Sequence, residues 1–438
     1  MAAPTALPAA SNARAWWTVA VLTVAYTFAF IDRQVIYLLV TPIRADLGIS
    51  DTQMSLLMGL SFALFYTLFG VLIGPLADRT SRRGLAAGGF VLWSAMTAAC
   101  GAARSFGGLF MARLGVGVGE AALSPAAYSM IADEFPRERR STALGVYSSG
   151  IYIGSSLATY LGGALVQGVS DGRALALPIF GTVQPWQAVF VLLGVTGIVL
   201  AALFLTVREP PRRAPATREP FRAVLAHYRA NAKFLWTHHG GFALLSLAGY
   251  ASAAWIPTLL ERRHGWSPSK IGEVYGPIIA IAGITGVIAG GRIADVLKRR
   301  GKSDANMRVG LAAALLCAPL GLAFPLVSDS RLCAGLLFLF YLASSLPWGV
   351  AAAALADTVP DRLRGQASAI YLFAINAVGA LGPTAIALVT DEVFERDSAI
   401  YLSLAWVVPI VEVAAALVLY SGLRAYRASA ERSDASRW

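Results

Sequence analysis

Two stretches decide how this chain is read: GPLADRTSRR at Gly74 to Arg83, and GRIADVLKRR at Gly291 to Arg300. Glycine, aspartate and the two closing arginines recur at a single offset of 217 residues, pairing Asp78 with Asp295 and Arg83 with Arg300. A second echo follows at an offset of 224, where Asp133, Pro136, Arg140 and Tyr147 match Asp357, Pro360, Arg364 and Tyr371. Two echoes in register divide the chain into halves, 1–207 and 234–438, with a Pro- and Arg-rich linker at 208–233 that contains REPPRR (Arg208 to Arg213). Within the linker Phe221, Val224, Leu225 and Tyr228 recur at helical spacing, as in a short helix that lies on an interface or stands in solvent.

The repeat is embedded in 438 residues of which 57% are hydrophobic and 14% charged. A mean hydropathy of +0.62 leaves too few polar side chains to cover a water-soluble globule of this size. One bilayer crossing takes about 20 residues of helix. Apolar runs at 16–40, 53–77, 84–103, 106–131, 142–168, 187–207, 234–260, 271–297, 308–328, 332–356, 366–390 and 399–421 supply twelve crossings. These runs are longer and more continuously apolar than the alternating segments of about ten residues that build a membrane β-barrel, so helices are the spanning solution. The fold class expected is an all-α integral membrane protein with twelve transmembrane helices in two pseudo-symmetric six-helix bundles. No room remains for a large enzyme domain outside the membrane.

With the N-terminus placed inside, 25 of the 36 Lys and Arg fall in inside loops and tails, 8 outside, and 3 (Arg33, Arg113 and Arg292) within the runs. That asymmetry puts both termini in the cytoplasm of an inner or plasma membrane. The net charge of +11 is thereby a matter of topology, and no aromatic platform interleaves the charges as single-stranded nucleic acid would require. Arg262 and Arg263 fall outside, against the rule. The first run is read as a retained helix, because Asp32 and Arg33 interrupt it and no positive charge precedes Arg14. Cys100, Cys317 and Cys333 all lie inside runs, without disulfide or metal spacing. Short loops and the lack of glycosylation sequons suit a bacterial membrane.

Two similar halves that rock about a site between them, near the membrane midplane, have the geometry of alternating access. Ionisable groups inside a span cost a few kcal/mol each on insertion scales, roughly 3, so each needs a partner or a purpose. Five lie deep: Asp32 and Arg33 in the first run, Arg113 and Glu120 in the fourth, and Glu412 in the twelfth. At 1.5 Å per residue, Asp32, Arg33 and Arg113 reach one level, with Glu120 roughly 10 Å deeper. Seven residues separate Glu120 from Arg113, so both share a face, also lined by Gly117 and Ser124. Asp32 is either one half of a permanent ion pair with Arg33 or Arg113, or a poised acid whose protonation answers to the side the cavity faces. Glu120 is suited to the same task or to holding a cationic group, and Glu412 carries the weakest case. Under the 224 offset Arg113 maps to Leu337 and Glu120 to Ser344, so the charges belong to the N-terminal half. The other half offers Ser344, Ser345, Trp348, Tyr371, Phe373 and Asn376, an aromatic and apolar wall suited to the apolar part of an amphipathic substrate, or simply to packing and lipid contact.

The loop GPLADRTSRR resembles the signature of the major facilitator superfamily, with Ser81 where a glycine is usual. That resemblance implies gate and scaffold roles for Asp78, Arg79, Arg82 and Arg83, and more weakly for Asp295, Arg299 and Arg300. FIDRQVIY (Phe30 to Tyr37), SDTQMSLLMGLSFALFY before GPLADR, and RLGVGVGEA in the fourth run together resemble the Spinster branch. The branch moves lysophospholipids and sphingosine phosphate, and its bacterial relatives are thought to be proton-coupled. By position, the resemblance implies proton coupling at Asp32 and Arg33 and a substrate or coupling site at Arg113 and Glu120. Around these, Ser124, Ser344, Trp348, Tyr371 and Asn376 are the remaining candidate contacts. An Asp-Arg pair in the first helix also occurs in the anion:cation symporter branch, which carries sugar acids and other small organic anions.

Other classes have less behind them. HExxH is absent from the sequence, and the histidines, His227, His238, His239 and His264, are expected in loops or at a helix entrance. Gly301-Lys302-Ser303 lacks the upstream glycine of a P-loop, the position being Val296. The expectation is a monomeric carrier, not an enzyme, with protons as coupling ion, no other cofactor and no metal, and a small amphipathic or anionic substrate.

Overall fold

The computed structural model of the protein describes residues 12–170, 175–177, 181–212 and 220–435. The side chain of Asp78, the aspartate of the first repeat, lies outside the described residues. In the first half the crossings are Asn12–Val35, Asp51–Met58 with Leu60–Arg79, Arg82–Cys100, Phe106–Glu120 with Leu123–Glu134, Arg137–Ser170, and Pro185–Ala201 with Leu203–Thr206. In the second they are Ala232–His264, Pro268–Arg299, Ala305–Leu326, Ser330–Ser345 with Pro347–Thr358, Asp361–Gly379 with Gly382–Leu388, and Ile400–Ala435. The linker holds the helix Phe221–Ala230. A small antiparallel pair, Leu175–Leu177 with Gly181–Val183, precedes the sixth crossing and had no sequence signal.

Ten of the twelve crossings are long and apolar enough to span a membrane on hydropathy alone; Arg82–Cys100 and Arg137–Ser170 are the other two. The fifth crossing packs extensively on the first and the eighth, so its Ser-, Gly- and Tyr-rich surface meets protein and needs less hydropathy. The twelfth shows the opposite pattern: Trp406, Ile410, Val413, Leu417 and Tyr420 recur every three or four residues and are 47–68% exposed, a stripe for lipid.

Local chemistry sets the helix ends. Ser50 and Gln53 form a capping box at the second crossing, and Ser105, Ser267 and Asp329 accept backbone N–H bonds at the fourth, eighth and tenth. Pro347, with no N–H to give, opens the second segment of the tenth crossing. The fourth crossing breaks at Ala121 and Ala122, close to the equivalent place.

Hydrogen bonds sort the loops onto two faces. On one face Arg82 reaches Asp133 and Glu209, Lys298 reaches Asp357, and Ser429 near the C-terminus bonds to Asn231 of the linker. On the opposite face Trp186 Nε1 donates to Asp46, Arg263 to the carbonyl of Leu326, and Arg262 to Asp51. This is the alternation that twelve crossings demand, with the start of the first crossing and the end of the twelfth on the first face. The repeat is visible bond by bond: Arg140 donates to the carbonyl of Ala132 at 2.7 Å, and Arg364 to that of Ala356 at 2.8 Å, both at the 224 offset.

The halves meet along the fifth and eighth crossings, where backbones approach closely. A Cβ on Gly163 would lie 2.2 Å from the carbonyl oxygen of Pro268, and one on Gly272 would lie 2.7 Å from that of Thr159, so only glycine fits either position. Gly59, at the break of the second crossing, meets the carbonyl of Ala380 at the break of the eleventh.

Candidate functional site

Four charged side chains converge inside the first half, paired differently from the sequence expectation. Neighbours on a helix point about 100° apart, so Asp32 and Arg33 leave the first crossing in different directions. Arg33 turns to the fourth crossing and gives Nε and Nη2 to Glu120 Oε2, each at 2.6 Å. Its guanidinium lies over the rings of Phe30, Phe62 and Tyr66 at 4.9, 4.3 and 4.7 Å, an aromatic cage that favours the cation. Asp32 turns instead to the third crossing, where Thr97 Oγ1 donates to its Oδ2. Asp32 Oδ1 has no hydrogen-bond partner among the described residues, and neither do Arg113 Nε, Arg113 Nη1 and Glu120 Oε1.

Burial separates their positions. Asp32, Arg113 and Glu120 are at most 2% exposed, whereas the Arg33 side chain is 16% exposed and is the charge that reaches open space. Arg113 stands behind it, within electrostatic reach of Asp32 and 6.0 Å from the Phe62 ring. The level difference anticipated for Glu120 is bridged by the length of the Arg33 side chain.

Ser124 shares a hydrogen bond with the Tyr147 hydroxyl at 3.2 Å, and Tyr147 stacks on Tyr26 at 4.5 Å. In the second half Tyr250 donates to Asn376 Oδ1 at 3.0 Å, and Phe373 beside it is exposed. Trp348 lies against Gly249 of the seventh crossing, and Ser344 Oγ returns to the carbonyl of Tyr341. Tyr371 is packed inside the second half against His238 and His239, 5.2 and 5.7 Å away, and does not face open space. Those two histidines are buried near the entrance of the seventh crossing: His238 Nε2 meets the carbonyl of Ala351, and His239 Nε2 meets the Tyr228 hydroxyl of the linker helix. Glu412 is buried, with Oε2 unpartnered among the described residues, near Cys317 of the ninth crossing.

The signature loops are not equivalent. Arg82 is buried and bonds Asp133, Ser129 Oγ at 3.0 Å and the carbonyl of Pro210 at 2.6 Å, while its backbone N–H donates to Glu209 at 2.8 Å. Burial pushes the Glu209 carboxyl up, but hydrogen bonds from the Ser81 hydroxyl and from the Arg82 backbone and side chain hold it below the usual carboxylate range. Arg83 bonds the carbonyl of Val207. Ser81, the departure from the usual glycine, caps the third crossing through Gly84 N–H and donates to Glu209. In the second half Arg299, the counterpart of Arg82, is exposed, as are Asp295 and Arg300, and none of the three reaches a partner among the described residues. Lys298 takes that place instead, 2.7 Å from Asp357, and Asp304 is held by Arg308 and Arg427 at 2.6 Å each. Arg79 is exposed and likewise makes no described pair.

The cluster that sequence reading missed lies on the face opposite the termini. Arg262 gives Nη1 and Nη2 to the two oxygens of the fully buried Asp51, at 2.6 and 2.8 Å, across the boundary between halves. Arg44 reaches Asp397 at 2.8 Å and Asp51 at 3.1 Å. Thr52 bonds Asp391, Thr41 bonds Glu261 and Ser55 bonds Thr384, all from one half to the other. The carboxylates of Asp51, Asp391 and Asp397 converge within 4.8 Å, and the two arginines supply the positive charge there. The one signal was Arg262 itself, a cation on the wrong side of the membrane by the charge rule.

Residues 22–383 match the sequence profile of the Major Facilitator Superfamily. An MFS-type efflux pump of Mycolicibacterium smegmatis is 31% identical over 381 residues, covering 86% of this chain and 85% of that one. A hexuronate transporter of Bacillus subtilis is 27% identical, covering 83% and 85%. Among solved structures, a bacterial homologue of the human lysosomal transporter Spinster, inward-facing and unoccupied, superposes with a TM-score of 0.79 at 27% identity, over 98% of this chain and 99% of that one. The chain belongs to the Major Facilitator Superfamily and is a multi-pass membrane transporter of Spinster type that acts on a small molecule, not an enzyme.

Proposed function

We propose that this transporter is proton-coupled and moves an amphipathic anion of the lysophospholipid or sphingosine-phosphate type by alternating access. The observation that carries the reading is a buried acid, Asp32, with one oxygen free, beside a buried Arg113 with unpartnered nitrogens. Such a pair is costly inside a membrane unless it is used. Arg33 is the group that meets the anionic head, because it is caged by rings and is the most exposed of the four charges. Glu120 holds it in this structure, and an arriving phosphate or carboxylate competes for the same guanidinium. The exposed Phe373 and the half-buried Trp348 offer apolar surface for a tail. Arg113 serves Asp32 rather than the substrate.

The positive-inside rule makes the terminus face cytoplasmic, and the bonds joining the halves at the opposite face then make this an inward-open form. The proteoliposome test uses an imposed proton gradient and a lysophospholipid. Asp32→Asn is expected to elute as a folded protein and to lose gradient-driven flux; undiminished flux in that variant overturns the coupling assignment.

A second reading, a small organic anion such as a sugar acid, is favoured by the Tyr250–Asn376 hydrogen bond, a polar pair able to recognise hydroxyls, and by the similarity to the hexuronate transporter. A ligand that binds the folded state raises its apparent stability, so thermal melts against lysolipids and hexuronates separate the two. Stabilisation by hexuronate alone would replace the first reading with the second.

A further inference from the structure

Thr97 is a residue that no motif marks, yet its hydroxyl is the hydrogen-bond partner of Asp32 among the described residues, and both side chains are buried. A threonine hydroxyl has one proton to donate, and here it goes to Oδ2, leaving Oδ1 free. The groups that bear on Asp32 are Arg33 on its own helix, Arg113 and Glu120 on the fourth crossing, and Cys100 on the third, one turn from Thr97. Neither Arg33 nor Arg113 hydrogen-bonds the carboxylate; Thr97 does.

We infer that Thr97 is the positioning residue of the proton site: it fixes the Asp32 carboxylate by Oδ2 and leaves Oδ1 as the atom that takes and releases the proton. This rests on the reading of Asp32 as the proton carrier. The step is a proton transfer: a proton from the cavity side bonds to Oδ1, the carboxylate becomes a neutral carboxylic acid, and the same proton leaves when the halves have rocked. Thr97 stays a donor throughout. A hydrogen bond to the ionised form favours that form, so removing it makes protonation easier, while the methyl group of threonine has no part in the effect.

The experiment is infrared difference spectroscopy of the purified full-length protein across a pH series, which needs no substrate. The carboxylic-acid band absent from Asp32→Asn assigns the group. In Thr97→Val, which keeps the shape and removes the donor, the midpoint of that band is expected to move about one pH unit toward higher pH. Its frequency should also shift as the hydrogen bond is lost. Thr97→Ser, which keeps the donor, is expected to retain the wild-type midpoint, and Thr97→Ala, a smaller change to fold around, to follow Thr97→Val. A wild-type midpoint in both Thr97→Val and Thr97→Ala overturns the inference and leaves Asp32 as proton carrier untouched. A titration that Asp32→Asn fails to alter removes the carrier assignment and this inference with it.

Discussion

The two faces of the molecule tie their charges in opposite ways. On the face away from the termini, Arg262 and Arg44 hold Asp51 and Asp397 from one half to the other. On the terminus face, Arg82 closes on Asp133 within the first half and on Glu209 at the start of the linker, while Lys298 with Asp357 and Asp304 with Arg308 and Arg427 close within the second. A pair that crosses the boundary must part whenever the halves rock, whereas a pair within one half rides along unchanged. The crossing pairs therefore set which way the transporter faces, and the internal pairs set how firmly each half is folded. The same residue types, arginine and aspartate, serve as a latch in one place and as a brace in the other.

The sharpest way to break this comparison is to remove the acid that two arginines share. Asp51→Asn leaves Arg262 and Arg44 without their buried anion. Losing one partner of such a pair costs about 3 kcal/mol, which corresponds to roughly a hundredfold change in the balance of two conformations. Spin labels at the exposed positions Ala45 and Arg396, one on each half, would read it. The distance distribution should broaden to longer values in Asp51→Asn, with a smaller effect from Thr41→Val, which removes a single neutral donor to Glu261. An unchanged distribution would mean that packing of the fifth and eighth crossings, not the ion pairs, keeps this face shut.

How much of this was legible in the sequence follows from the physics of each signal. The twelve crossings were, because burial in lipid demands long apolar runs. The repeat was too, down to Arg140 and Arg364, whose bonds to the carbonyls of Ala132 and Ala356 match. The four charges of the first half were found, since a charge in a span is conspicuous, but their partners were not. Helix phase sends Asp32 and Arg33 to different neighbours, and the side chain that receives Asp32 is one threonine among the many small polar residues of the chain. The latch showed itself only as the misplaced charge of Arg262, for a different reason: Arg44, Asp51, Arg262 and Asp397 lie in ordinary-looking loop and helix ends up to 353 residues apart, and only the fold brings them together. Arg299 and Arg300 repeat the arginines of the first signature loop, yet Lys298 makes the ion pair there. Repetition of a sequence carries over the backbone path more faithfully than the choice of side-chain partner.

A brace should fail differently from a latch. Arg82→Ala removes a buried cation that bonds Asp133, Ser129, Glu209 and the carbonyl of Pro210. The expected loss is about 3 kcal/mol, seen as a lower melting temperature and reduced yield of folded protein. The label distances across the opposite face should stay as in the wild type, because none of those bonds joins the halves. A conformational shift with intact thermal stability would assign Arg82 to the latch and dissolve the distinction.

The smallest effect, and the one that isolates a single brace, is a pH dependence in the second half. Burial pushes the Asp304 carboxyl up, but hydrogen bonds from Arg308 and Arg427 outweigh it and hold the group below its ordinary value. A group whose pKa is lowered by folding adds stability that is fully present above the unfolded value, about 3.9, and is lost as pH falls through the folded one. Asp304→Asn should therefore melt lower than the wild type at neutral pH, and the gap should close as the buffer is taken below the unfolded value of about 3.9 and on through the folded one. Because Arg308 and Arg427 are partly exposed, the difference is expected to be on the order of 1 kcal/mol. Label distances across the opposite face should not move at any pH in this series on account of Asp304. A gap that stays constant with acidification would show that the substitution acts through packing at the entrance of the ninth crossing rather than through the charge.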